Sequence, residues 1–207
     1  MGLLDILLGR TRPVVPDLDQ LFGLPSAAVT LEAATGFTPT GQGAVCFATV
    51  EGSAFEQTHR EVQALLDADT ERNGPAVRLE RDDFGYSWLV SHRTPDELSA
   101  LVNDLHAVNS AMEVNGFGPQ LLCSLAGFEE RAAGGAGADA EGGAPGRRLG
   151  LVYLYKRGAF YPFAPLPGAR QRRDNALELQ VKAALADDLR IEQDLSRWFP
   201  VWGAPGL

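Results

Sequence analysis

Apolar and polar positions alternate along this chain with two periods, and the switches between them predict its elements. From Ala27 to Val50, "AAVTLEAATGFTPTGQGAVCFATV" alternates β-branched and apolar residues around a Gly–Thr–Pro centre, the pattern of two strands joined by a loop. Phe55, His59, Val62 and Leu66 then form one stripe at helical spacing. A second unit repeats the order. Val77 and Leu79, then Tyr86, Trp88 and Val90, recur at every second position around the turn "DDFG", which predicts a hairpin with one apolar face. The helix after it has a clear start, with Thr94 as cap, Pro95 at the first position and Glu97 completing a capping box. Leu98, Leu101, Val102, Leu105, Val108 and Met112 form its buried stripe, and Gly116 ends it in the left-handed region.

The third unit reads as strand "PQLLCSLAGFEE", a long loop, strand "RRLGLVYLYKR", a turn region "GAFYPFAPLPGARQRR", and helical material from Asn175 capped by Asp174. "IEQDLSRWF" follows as a second helical piece, with Ile191, Leu195, Trp198 and Phe199 on one side and Pro200 ending it. Three successive hairpin–helix (ββα) units predict an α+β fold, an antiparallel sheet with helices packed on one face. Residues 1–24 read as an N-terminal helical segment and 25–207 as a single α+β domain. The Gly/Ala-rich loop 131–147 has too little apolar surface to offset its ordering entropy, so we expect it to be disordered.

Composition narrows the function classes. The chain has 207 residues, 45% of them hydrophobic, enough for a core without staples. A formal charge of −9 argues against nucleic-acid binding, which needs a cationic face to release counterions. Two cysteines, Cys46 and Cys123, sit in separate apolar runs and read as buried thiols in a reducing cytoplasm.

No catalytic constellation stands out. His59, His92 and His106 share no metal-ligand spacing, and "GQGAVC" has cysteine where a dinucleotide loop needs its third glycine. Acidic residues follow helix faces and helix starts, as solvated charges do. We therefore expect no enzyme activity, no metal and no cofactor.

Two features remain. One is basic and aromatic: Lys156, Arg157, Phe160, Tyr161, Arg170, Arg172 and Arg173 cluster within an otherwise acidic chain. They offer a surface for an acidic helix, an anionic headgroup or a phosphate; the plainer reading is a strand with one face inward and a soluble loop. The other is the opening "MGLLDILLGR", in which Leu3, Leu4, Leu7 and Leu8 share one side of a helix. It lacks the basic start of a secretory signal, and a span needs about 20 apolar residues. A helix this short is marginal alone, and burying four leucines yields roughly 6 to 10 kcal/mol before ordering costs. Its own domain, a protein partner and a bilayer interface are all open as the surface it lies on.

The residues of several stretches carry a family resemblance: "MGLLDILLGRTRP", "LDQLFGLPSAAVTLEAATGFTPTG", "LVNDLHAVN", "GFGPQLLCSL", "LVYLYKRGAFYPFAPLPG", "RDNALELQ" and "RWFPVWGAPGL". The chain resembles the actinobacterial PspA-associated protein family, PspAB, over nearly its whole length. That resemblance implies association with PspA, the coiled-coil protein of the phage-shock response to envelope stress, at the inner face of the cytoplasmic membrane. It implies no catalysis and provides no catalytic residues. The hairpin–helix order also resembles secretion-chaperone-like and YbjN-like domains, which is fold analogy alone.

The expectation is thus a non-enzymatic, cytoplasmic accessory protein that binds PspA through Lys156, Arg157, Phe160, Tyr161, Arg170, Arg172, Arg173 and the leucines Leu3, Leu4, Leu7 and Leu8. A homodimer holding an extended client in chaperone fashion, a small-ligand or catalytic pocket near a histidine, and peripheral membrane contact through the N-terminal segment are the alternatives.

Overall fold

The computed structural model describes residues 16–49, 52–68, 75–131, 146–168 and 171–207, without the side chains of Ala54, His59 and Leu65. Pro25 sits in the first turn of helix α1 (Leu24–Thr35), and Leu24, Ala27, Ala28 and Leu31 are buried along one side of it. This corrects the first expected hairpin: its first strand is a helix. The i, i+3, i+4, i+7 spacing of those four residues outweighs the local β-propensity of Val29 and Thr30. Gly36, at φ 77, ends α1 in the left-handed region.

The expected loop centre lies inside one long strand, β1 (Phe37–Ala48). β1 takes up the Gly–Thr–Pro sequence as a register shift against β4 between Pro39 and Gly43. The remaining elements are α2 (Ser53–Asp67), β2 (Arg78–Arg81), β3 (Tyr86–His92), α3 (Leu98–Val114), β4 (Leu121–Glu130), β5 (Arg148–Leu154), β6 (Ala159–Phe163) and α4 (Asn175–Ala184).

The strands form one open six-stranded sheet in the order β2-β3-β1-β4-β5-β6, and every neighbouring pair is antiparallel. The second hairpin forms, but without the single apolar face expected: Leu79 pairs with Leu89 and Glu80 with Trp88, so Leu79 lies on the opposite face from Trp88 and Val90. The third unit holds three strands, because Gly158 (φ 59) reverses the chain directly after a 3-10 turn at Tyr155–Arg157. The stretch read as a turn region therefore contributes edge strand β6, where Pro162 is tolerated. "IEQDLSRWF" is not a helix of any length. Ile191 bridges to Phe160 along the β6 edge. Phe160 N–H donates to Arg190 O at 2.8 Å, and Glu192 N–H to Phe160 O at 2.8 Å, so this extended segment shields the edge. Only Leu195–Arg197 coils, as a 3-10 turn capped by Asp194. At the opposite edge, β2 reads "RLER" and is exposed throughout, a short charged strand that resists pairing with another chain.

α1, α2 and α3 cover one face of the sheet. Phe55 of α2 meets Phe47 of β1 at 5.4 Å between ring centroids. From α3, Asn109 Nδ2 donates to Ser124 Oγ at 2.8 Å. Asp104 of α3 is buried in a forked ion pair, with Arg93 Nη2 at 2.7 Å and Nε at 2.9 Å, and it accepts from Ser91 Oγ at 2.6 Å. The start of α3 keeps part of the expected box: Thr94 N–H donates to Glu97 Oε2 at 3.0 Å, while the regular helix begins at Leu98. Its end is the expected left-handed glycine, Gly116 at φ 84. Phe117 N–H reaches back to Met112 O and Gly116 N–H to Glu113 O. α4 begins at Asp174, whose carboxylate accepts from Leu177 N–H at 3.0 Å, as expected.

Within the expected N-terminal segment, Leu18–Gly23 forms a 3-10 helix that buries Leu21; residues 1–15 lie outside the described residues. Both flanks of the Gly/Ala-rich loop are tied down. Arg131 N–H donates to Gly36 O at 2.9 Å, and Arg147 lies 3.2 Å from Asp174. Loop residues 132–145 lie outside the described residues.

Candidate functional site

The sheet face opposite the helices carries a row of cross-strand partners: Trp88 beside Cys46, Cys46 beside Cys123, and Cys123 beside Leu154. Strand residues two apart share a face, so the row continues the alternation set by burial on the helical side. The C-terminal segment crosses part of this face. Tyr161 Oη donates to Phe199 O at 2.7 Å, Tyr161 stacks on Trp198 at 6.1 Å, and Phe163 meets Trp202 edge-on at 4.9 Å.

Between this segment and the β2–β3 hairpin the face stays open as a groove of about 970 Å³. Cys46, Trp88, Cys123, Leu154 and Tyr161 line its inner surface. Large apolar side chains stand at its rim: Phe84 is 58% exposed, Phe199 59% and Tyr86 43%. Exposed aromatics grouped around an apolar cleft are the usual mark of an interaction surface, whereas single exposed apolar residues are unremarkable.

Three charged groups around the groove, Asp82, Arg157 and Arg197, have structural duties. Asp82 Oδ2 accepts from Trp88 Nε1 at 2.9 Å, and its Oδ1 accepts the N–H groups of Phe84 and Tyr86, each at 2.9 Å, which sets the hairpin turn. Arg157 Nε lies 2.9 Å from Glu192 Oε2, and Arg197 Nε 3.1 Å from Asp194 Oδ2. Burial raises the Glu192 carboxyl, but Asp194 N–H and the Arg157 guanidinium outweigh it and leave the group below its ordinary range. The Cys46 thiol is pushed up, first by its hydrogen bond with Cys123 and then by burial. Burial likewise drives the Tyr161 hydroxyl upward. A protonated Cys46 thiol, a neutral Tyr161 phenol and charges paired within the fold leave the groove lining largely apolar.

The expected site residues separate into groups. Lys156 is exposed and Arg157 half-buried, and both line the groove. Phe160 and Tyr161 are buried, which removes the exposed aromatic component expected of them. The Phe160 ring packs on Tyr153 at 5.2 Å on the helical face, while Tyr161 contributes to the groove from below. Arg172 is exposed, away from the groove lining. Arg173 is folded inward, with Nε 2.9 Å from Glu178 Oε1, Nη1 2.7 Å from Trp198 O, and its guanidinium 5.1 Å from the Phe163 ring centre. Leu3, Leu4, Leu7, Leu8 and Arg170 lie outside the described residues. Pro16, where the described residues begin, shares a small cleft with Tyr155 and Lys156.

Of the histidines whose side chains are described, His92 and His106, neither lines the groove. His106 lies on α3, against the Phe22 ring at 4.9 Å and 3.7 Å from Asp19, on the helical face. His92 ends β3, and the His59 side chain is not described. Among the described residues no group of three or more His, Cys, Asp or Glu side chains is placed to hold a metal ion. Nor is any described helix long and apolar enough to cross a membrane.

Residues that sequence reasoning missed include Trp88, Phe84, Phe199 and Trp202. They come from separate segments, and only strand register and the path of the C-terminal segment unite them. One signal was present: the unbroken run "AVCF" in β1, where neither face is polar, marks a strand covered on both sides.

Fold and groove together define an α+β protein with helices on one sheet face and an apolar groove on the other. Residues 1–206 match the family model for PspA associated protein B, and the chain belongs to that family, which links it to PspA. No curated protein and no solved structure matches the chain.

Proposed function

We propose that the protein is a non-enzymatic accessory factor that binds PspA in the envelope-stress (phage-shock) response, with the apolar groove as the surface that meets it. The observation that carries this reading is the groove itself, in which exposed Phe84, Tyr86 and Phe199 frame an apolar interior. Aromatic anchors around a desolvated centre are where binding energy concentrates in protein interfaces. A coiled-coil protein offers long amphipathic helices, and such a helix lays its apolar stripe into a groove of this kind. The exposed Lys156 at one end adds a cation suited to the acidic flank of such a helix. The leucine-rich start, Leu3, Leu4, Leu7 and Leu8, belongs to the proposed contact on its sequence pattern alone. The engagement of the surrounding charges in structural bonds supports a binding role over a catalytic one.

The reading places the protein in the cytoplasm, at the inner membrane face when PspA is there. Light scattering coupled to size exclusion, on full-length protein mixed with purified PspA, tests it. A co-eluting complex is expected. Separate elution at tens of micromolar concentration contradicts it.

A further inference from the structure

Cys46 and Cys123 are the chain's two cysteines, far apart in sequence. The fold makes them direct partners across β1 and β4. Both side chains line the groove. Directly opposed residues of an antiparallel pair have Cα atoms about 4.5 to 5.5 Å apart, within the span of about 4.4 to 6.8 Å that a disulfide bridges. A register shift follows at once, where Phe47 pairs with Leu121 and Leu122 is extra, so the ladder is bulged beside the pair. Bulges re-aim side chains next to functional positions.

We propose that Cys46 and Cys123 form a redox-active cross-strand dithiol in the groove, oxidised by hydroperoxides to a disulfide between β1 and β4. The pairing rests on strand register and does not depend on PspA as the groove's occupant. In the first step one sulfur attacks a peroxide oxygen. The O–O bond breaks, an S–O bond forms, and water (or an alcohol) leaves. In the second step the neighbouring thiol attacks the sulfenic sulfur, the S–S bond forms, the S–O bond breaks and water leaves. Two thiols and one hydroperoxide thus give one disulfide, with two electrons passing from sulfur to the peroxide and both thiol protons ending in the released products. A thiol reductant reverses the change by exchange.

Because hydrogen bonding and burial hold the Cys46 thiol up, thiolate is scarce at neutral pH and the first step is slow. The second step is fast, since the resolving thiol stands on the directly opposed residue and little ordering cost remains. Such a pair records sustained oxidant exposure rather than brief pulses. Trp88 is Cys46's partner on the other side of β1, so its indole reports the change.

The test uses the full-length wild-type chain with graded hydrogen peroxide. Free-thiol titration, intact mass and non-reducing peptide mapping provide the readout. The expected result is loss of both thiols together, a mass decrease of two hydrogen atoms per chain, one peptide joining Cys46 to Cys123, and quenched tryptophan emission. Dithiothreitol restores all of these. In Cys46→Ser and Cys123→Ser, the remaining thiol gains oxygen and no intramolecular link forms. Two wild-type thiols surviving a peroxide dose that oxidises the remaining thiol of either single variant overturn the proposal, and so do separate sulfinic acids without a link in the wild type.

Discussion

Replacing Arg173 by alanine separates surface charge from structural charge in the basic cluster. The Arg173 side chain is 20% exposed, and its partner Glu178 is 3% exposed. Truncation removes a charge-assisted hydrogen bond to Glu178, of a kind that contributes about 1.5–3 kcal/mol. It also removes the bond to Trp198 O, about 1 kcal/mol, and the cation–π contact with Phe163, about 0.5–1 kcal/mol. These contacts share one side chain and do not add. Glu178 retains the Ala164 N–H donor at 2.9 Å, and its carboxyl can take up a proton, which offsets part of the loss. The net cost is then about 2–4 kcal/mol. With a urea slope of about 2 kcal/mol per molar, the unfolding midpoint falls by about 1–2 M. Arg172→Ala, one residue away and exposed, changes stability by no more than about 0.5 kcal/mol. Equal midpoints for Arg173→Ala and Arg172→Ala refute this account of the cluster. A charge reversal meant to probe partner binding therefore belongs at Arg172, because at Arg173 it perturbs the fold.

Other substitutions test the surroundings. Burial, partly opposed by Arg173 and by Ala164 N–H, holds the Glu178 carboxyl above its ordinary range. The fold thus binds that proton more tightly than the unfolded chain does, and the stability involved is present at low pH and lost as pH rises from the ordinary glutamate range through the raised value. Glu178→Gln gains on wild type across that window in urea melts at stepped pH; parallel curves contradict the assignment. At Gly41 (φ 74) an added Cβ collides with the Arg93 carbonyl, whereas at Gly36 (φ 77) it meets open space. Gly36→Ala costs about 1–2 kcal/mol, the left-handed penalty alone, and Gly41→Ala costs clearly more, at least about 3 kcal/mol. Similar thermal midpoints for the two variants count against the close β1–Arg93 approach.

Local signals were legible where local physics decides. The α3 stripe, the Asp174 cap, the Gly116 terminus and the β2–β3 hairpin follow from spacing and turn chemistry over a few residues. Residues 24–35 misled because Val29 and Thr30 imitate a strand, while packing of Leu24, Ala27 and Leu31 into the core decides for helix. β6 was hidden because Gly158 compresses the β5–β6 connection, and Pro162 in a strand reads as a breaker until the edge position is known. The cluster of cations and aromatics looked like one surface in sequence. Strand alternation sends Phe160 to one face and Tyr161 to the other, and Arg173 turns inward to Glu178. The groove was the least legible feature. Trp88, Cys123 and Phe199 meet only through six-strand register and the return of the C-terminal segment, neither of which has a local signature.

The account turns on whether the open sheet face is where PspA binds. The direct measurement is a calorimetric titration of PspA with wild-type protein and with the double variant Phe84→Ala/Phe199→Ala. Both rings are more than half exposed, so the variant unfolds within about 0.5 kcal/mol of wild type. Loss of two interface anchors is expected to weaken binding by at least about tenfold, or roughly 1.4 kcal/mol. Unchanged affinity in the double variant contradicts the groove as the binding surface.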